Sequence, residues 1–559
     1  MQSTINSITM GRWLFITLLH FSIWCGCHST VCEICICSNT DNSRTVDCRE
    51  KRLETQNTLE FDLMMFDEEK NLNNLILSEN GIFSLAVDTF KNLKNLKFLD
   101  LSSNGIGNIP RDSFGDLINI EELDLSNNYL SILEEYELEN LSTLKKLNLS
   151  INLFEELQQG IGEILLNLTH LDISHNKLRI LTNGSLKLLT HLQYLDVSHN
   201  KIASLGIDNL VHLDQLETLR INNNLLVTLS PDELPQSIKY LYAGYNMVAT
   251  MPSSLSQLEI LSVEHNLISE IDTEAQFSQL KKMDISNNAF TDFPMAKLDK
   301  LETLDISSNK LSAIPSSLTV DNFPVLSTIF IGDNPIRELK FPGNLLLRNL
   351  VVKSFNLLEK VEQDAFSGIK NYPDECLHLT ISSNKKLQFI HEHSLDNLNI
   401  CSLDLSYNKL TTIPRKLLYA EKTLKIHGNI NVQGNPFNCD CTLQWMLSDL
   451  VKEIYVRNST LLDDLRCATP PELADKRMVH WYNWQEQVLC DKSPILLSKI
   501  RVETAGIMSV NVGAIKLESS TGMLAVVVGA AVVLSVLVII GIVLAQKVVR
   551  QRSRRNRRF

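Results

Sequence analysis

Leu96-Lys97-Phe98-Leu99-Asp100-Leu101-Ser102-Ser103-Asn104 returns 24 residues later as Ile120-Glu121-Glu122-Leu123-Asp124-Leu125-Ser126-Asn127-Asn128. The closing asparagine holds that interval from Asn80 through Asn104, Asn128, Asn152, Asn176 and Asn200 to Asn224. Leucine, isoleucine or valine at the fourth and sixth positions alternates with polar residues, so each phrase reads as a short, half-buried strand. Such a unit buries its apolar side only by stacking on neighbours. The 559 residues therefore form one stacked array, where length alone would suggest roughly three or four globular domains.

The phrase continues with altered spacing to Asn246, Asn266, Asn288, Asn309, Asn334, Asn384, Asn408 and Asn435, with Phe355 in place of one asparagine, which makes about sixteen rungs over residues 61–437. The stacked phrases predict a parallel sheet along an inner, concave curve of about 75 Å. The asparagine is polar yet points inward, so its amide should bond neighbouring backbone. Phe90 and Phe114, ten residues after the preceding asparagine, should pack the outer side. This period resembles that of leucine-rich repeat proteins. The fold expected is an α/β solenoid, a leucine-rich repeat horseshoe with a parallel concave sheet.

Cysteines cluster at both ends. Cys32, Cys35, Cys37 and Cys48 lie in residues 28–60, and Cys439, Cys441, Cys467 and Cys490 in residues 438–490. Clustered cysteines suit zinc or disulfides, and the secretory features described below favour disulfides. Spacing leaves three pairings open for each set of four. The second run, Asn435-Pro436-Phe437-Asn438-Cys439-Asp440-Cys441, resembles the C-terminal cysteine cap of extracellular leucine-rich repeat proteins. That resemblance implies Cys32–Cys37 and Cys35–Cys48 in the first cap, and Cys439–Cys467 and Cys441–Cys490 in the second. For Cys376 and Cys401, on adjacent rungs, a bridge and two free thiols stay equally open.

A 14-residue apolar stretch beginning at Trp13, with Arg12 at its edge, reads as a signal peptide ending near residue 27. Gly522–Ala545 is 24 residues without a charge, enough to cross about 30 Å of hydrocarbon as a transmembrane helix. The basic tail that follows (546–559) carries Lys547, Arg550, Arg552, Arg554, Arg555, Arg557 and Arg558, which places it in the cytoplasm. The expectation is a type I single-pass protein of the plasma membrane, with residues 491–521 as a stalk. A lipid-anchor signal would end in its apolar tail, against this basic one. Asn140, Asn148, Asn167, Asn183 and Asn458 open glycosylation sequons. Removing the seven tail cations from the formal −13 leaves −20 elsewhere. So acidic a body disfavours nucleic acid as a partner.

No enzyme motif is present, and no metal or cofactor is expected. His391-Glu392-His393 falls in a connecting segment and reads as a solvated loop. The fifth-position aspartates, among them Asp100, Asp124, Asp172, Asp196, Asp284, Asp305 and Asp404, read as generic solubility. Rungs six to nine depart from the ordinary filling. Tyr194, His199, Arg220, Tyr240, Tyr242, Tyr245 and His265 gather there, residue types that give large contact area with a polar handle. They are the candidate site for an extracellular protein or glycan ligand, against aromatic filling with no partner. A glycan on Asn148 would push a concave ligand toward rung six and beyond. Ala525 and Gly529, four apart, permit helix pairing and so a homo-oligomer.

The whole assembly resembles cell-surface leucine-rich repeat transmembrane proteins, and its ectodomain resembles that of Toll-type receptors without their cytoplasmic signalling domain. The resemblance implies a recognition or adhesion protein. The alternative is an immune or regulatory co-receptor presenting ligand to a separate signalling receptor in the membrane. A membrane enzyme is a distant third reading.

Overall fold

The computed structural model describes residues 31–490 except 41–42, 54–70, 86, 88, 158–160, 182–183, 185, 207–208, 252–254, 272–276, 294–296 and 373, and further on residues 508–512 and 515–519. The expected signal peptide, the expected span at 522–545, the basic tail and Asn183 lie outside the described residues. Among the described residues no helix is long and apolar enough to cross a membrane. Two compact units are distinguished, Met1–Leu357 with Asp364–His378, and Leu358–Gln363 with Leu379–Phe559.

In the first unit, strands Ile36–Thr40 and Ser43–Asp47 pair antiparallel beside a single helical turn, Val31–Ile34. Disulfides Cys32–Cys37 and Cys35–Cys48 tie these elements together. Ser43–Asp47 runs parallel to Leu72–Ile76 and so starts the stack. Three-residue strands follow in parallel register, from Phe98–Asp100 through Glu122–Asp124, Lys146–Asn148, His170–Asp172, Tyr194–Asp196 and Thr218–Arg220 to Tyr240–Tyr242 and Ile260–Ser262. Lys282–Asp284, Thr303–Asp305, Thr328–Phe330 and Asn349–Lys353 continue it.

Each three-residue strand of the stack buries its middle residue. Leu99, Leu171, Leu195, Leu219 and Leu241 are fully shielded, as are the sixth-position Leu101, Ile173, Val197 and Ile221. Each such side chain contributes about 1.5–3 kcal/mol when removed from water. Behind them the rings of Phe90 and Phe114 stack with centroids 5.8 Å apart.

The asparagine does for the polar side of the core what leucine does for the apolar side. Asn128 Nδ2 donates to Leu101 O of the preceding rung at 3.0 Å, and to Leu125 O and Ser126 O of its own. Its Oδ1 accepts the Ile106 backbone N–H at 3.0 Å. Asn152, Asn176, Asn200 and Asn224 repeat the pattern. Four bonds leave the buried amide satisfied, and the side chain has no slack for another residue.

Among the described residues, the connecting segments of this unit hold only single helical turns, Glu135–Leu138, Ile161–Ile164 and the 3-10 turn Pro231–Glu233. The α/β expectation is therefore corrected to a β-solenoid. The return path 105–119, for example, consists of turns and irregular chain throughout.

In the second unit Ile400–Asp404 runs parallel to Ile430–Asn431. Asn408 and Asn435 span neighbouring turns as in the first unit, Asn435 Nδ2 reaching Leu405 O at 2.8 Å. The C-terminal cap is built on helix Val451–Asn458 and on strand Phe437–Asn438 beside Cys467–Thr469. Disulfides Cys439–Cys467 and Cys441–Cys490 close it. Cys376 and Cys401 are each disulfide-bonded. Within the expected stalk, Met508–Val512 and Ile515–Ser519 form an antiparallel pair.

Candidate functional site

Period-two alternation puts the third, fifth and seventh positions of every phrase on the solvent side of the first unit's sheet. Tyr194, Tyr240, Tyr242 and Arg220 lie there, each half-buried. Tyr194 stacks on His170 with centroids 5.8 Å apart and donates its hydroxyl to Asp196 Oδ2 at 3.2 Å. Burial and the neighbouring carboxylates push its phenol up to about 12. Asp196 in turn holds Arg220 Nε at 3.3 Å, and the Arg220 guanidinium lies 4.6 Å over the Tyr242 ring. A continuous chain of contacts thus runs from rung five to rung eight. Tyr240 sits in register with Thr218 and Ile260 on either side.

His199, Tyr245 and His265 do not share that face. They occupy the eighth position, where the chain turns off the sheet with positive φ: 54° at His199, 56° at Tyr245 and 52° at His265. The same left-handed turn recurs at Ser103, Asn127, Ile151, His175 and Asn223. Side chains at this corner form their own exposed row. His175 stacks on His199 at 4.0 Å, and Tyr245 on His265 at 4.1 Å. Burial, then the adjacent His175, pushes the His199 imidazole below its ordinary range, with Asp196 opposing. The seven candidates therefore divide into two rows rather than one patch.

The fifth-position aspartates do more than solubilise. Asp100, Asp124, Asp172, Asp196, Asp284, Asp305 and Asp404 each accept the backbone N–H two residues on through Oδ1, at 2.8–3.0 Å. Each closes the turn that leaves the strand. Burial first, and then the other acids of the column, pushes the Asp172 and Asp305 carboxyls up.

Sequence reasoning passed over the seventh position. Serine fills it at Ser102, Ser126, Ser150, Ser174 and Ser198, then gives way to Asn222, Gly244 and Glu264 on three consecutive rungs. The signal was the interrupted serine column.

Other features bear on access. Asn148 Nδ2 donates to Asp124 Oδ2 at 3.0 Å, and its Oδ1 accepts the Ser150 hydroxyl at 2.8 Å. Asn140 and Asn167 are exposed, and Asn458 Oδ1 accepts the Thr460 hydroxyl at 2.7 Å. A polar groove of about 720 Å³ follows the edge of rungs one to six, past Asn73, Lys97, Glu121, Lys145, Asn167 and His191. Lys145 and Lys97 clasp Glu121 there and hold its carboxyl down to about 2. His393 pairs with Asp396 at 2.7 Å, and Glu392 with Lys416 at 3.1 Å. Among the described residues no group of three or more histidine, cysteine or acidic side chains could hold a metal.

The family model "Leucine rich repeat" matches residues 70–130, 99–154, 142–202, 190–248 and 256–311. Human lumican (Homo sapiens) is 28% identical over 188 residues, covering 32% of this chain and 51% of lumican. Rabbit lumican (Oryctolagus cuniculus) is 31% identical over 146 residues, covering 25% of this chain and 71% of the relative. Human epiphycan is 30% identical over 146 residues, covering 25% of this chain and 44% of epiphycan. The chain spans about half the length of the first curated relatives it matches. Among solved structures, Toll of Drosophila in its complex with Spätzle aligns with TM-score 0.52 and 20% identity, over 74% of this chain and 58% of that one. A leucine-rich repeat protein of Leptospira interrogans aligns with TM-score 0.50 and 23% identity, over 67% of this chain and 94% of that one. At these identities the likeness to the solved structures is one of fold.

Proposed function

This chain belongs to the leucine-rich repeat family, and we propose that it is a non-enzymatic recognition protein whose sheet face binds an extracellular protein or glycan. A single span at 522–545 tethers it to the plasma membrane with the solenoid outside. The observation that carries the reading is the linked series of half-buried Tyr194, Arg220 and Tyr242, joined through the buried Asp196, on an otherwise aspartate-lined face. Tyrosine and arginine held in place by neighbours lose little freedom on binding, which is what a hot spot requires. The oxidised cysteines at both ends support an extracellular setting.

The test is an array of extracellular proteins and glycans probed with the full chain. Replacing Tyr240 and Tyr242 together by alanine should lower capture at least tenfold at unchanged surface expression. Capture equal to that of the parent chain would reject the sheet-face site.

A further inference from the structure

We infer that rungs seven to nine take a basic side chain of the partner, a lysine or arginine laid over Gly244 between Asn222 and Glu264. This rests on the sheet-face reading above and names the partner's chemistry.

The inference starts from the seventh-position column. The strands of these rungs are parallel and in register, so Asn222, Gly244 and Glu264 stand side by side. Gly244 leaves a gap in the middle, and Glu264 leans into it. A Cβ at Gly244 would come within 2.1 Å of Glu264 Oε1. The carboxylate is steadied there by the Ser262 hydroxyl, which donates to Oε2 at 2.5 Å. On the other side Asn222 Nδ2 donates to Asn223 Oδ1 at 3.0 Å, while Asn222 Oδ1 is buried without a hydrogen-bond partner.

Adjacent strands lie about 4.8 Å apart. The carboxylate over Gly244 and the amide oxygen of Asn222 are therefore about one strand spacing from each other. An ammonium or guanidinium group placed between two acceptors at that separation donates to both at ordinary hydrogen-bond lengths. A small turn of the Asn222 amide presents its unmet acceptor.

The surroundings also call for donors. The Arg220 cation is already held by Asp196. Glu264, Asp284 and Asp305 form no ion pair among the described residues, and Asp305 feels both Asp284 and Glu264 as like charges. A cation from the partner relieves that repulsion, whereas an acidic ligand adds to it. The Tyr242 ring, next to Gly244 along the strand, supplies an aromatic wall for the side chain's stem.

The experiment uses the purified full chain and a fluorescent oligolysine peptide read by anisotropy, with an oligoglutamate of equal length as control. The parent chain should bind oligolysine and not oligoglutamate. Glu264→Gln should weaken oligolysine binding about tenfold. Gly244→Ser, which changes no charge but displaces the carboxylate, should weaken it by a similar factor. Both variants should melt at the parent temperature. Equal affinity in both variants would overturn the inference, and so would binding that appears only with added calcium. The array separates the two levels. Capture lost on Tyr240→Ala/Tyr242→Ala but kept in Glu264→Gln leaves the sheet face standing and removes the cation. Capture kept in every variant removes the sheet face itself.

Discussion

The imidazoles of His175 and His199 lie face to face, centroids 4.0 Å apart and planes 9° from parallel. The stack suits neutral rings and is opposed by a second positive charge. The burial that lowers the His199 pKa acts the same way. An unfolded histidine titrates near 6.5. Just below that value the unfolded chain binds a proton that folded His199 declines. Its contribution to stability is thus full above about pH 6.5, falls as pH drops through it, and levels off once the folded imidazole is protonated too. The melting temperature should decline between about pH 7.5 and 5.5, and His199→Gln should make that decline shallower. A histidine-resolved NMR titration placing His199 above 6.5 would contradict the sign.

Asn200 offers a sharper test of the core. Its amide donates to Ile173 O, Val197 O and Ser198 O and accepts from Leu178 N. Asn200→Ala leaves the Leu178 N–H without an acceptor, while Ile173 O, Val197 O and Ser198 O keep the Asn176 amide, the Asn224 amide and the His175 N–H. One orphaned buried group costs about 1–3 kcal/mol, so urea unfolding should show a loss of that order. A loss under about 1 kcal/mol would show that the ladder is dispensable.

Arg220 acts through its planar shape as well as its charge. Arg220→Lys keeps the ion pair with Asp196 within reach but loses the flat contact over Tyr242. Array capture should fall about three- to tenfold, without change in melting temperature. Full retention would mean charge alone matters at this position.

Cys441 closes the C-terminal cap on Cys490 across 49 residues. Cys441→Ser should destabilise the cap by about 2–5 kcal/mol and hold the chain in the secretory pathway. Normal delivery to the surface, measured by flow cytometry, would contradict this.

The stack was legible in the sequence because Asn128 and its equivalents make four bonds that no other side chain reproduces, so their identity repeats. Leu99 and Leu101 were legible for the matching apolar reason. The turn role of Asp100 was not, because an exposed-looking aspartate in a strand carries no mark of the N–H it accepts. The corner turn was hidden as well. Ile151, His175 and Tyr245 adopt positive φ without being glycine or asparagine, since the flanking hydrogen bonds over-determine the backbone. That turn is why His199, Tyr245 and His265 separate from Tyr194, Tyr240 and Tyr242. Asn222, Gly244 and Glu264 were visible as letters, yet only the lean of Glu264 over Gly244 gives them meaning.

Among the described residues, each repeat-closing asparagine side chain in the first unit bonds only its own coil and the one before. A whole coil can therefore be excised, and its neighbours rejoined with the same set of bonds remade, whereas removal of a few residues breaks the set on both sides. Length becomes a freely editable trait of such a chain, and a lineage can extend or shorten the stack on either side of a given row of side chains by duplicating or losing coils, leaving that row untouched.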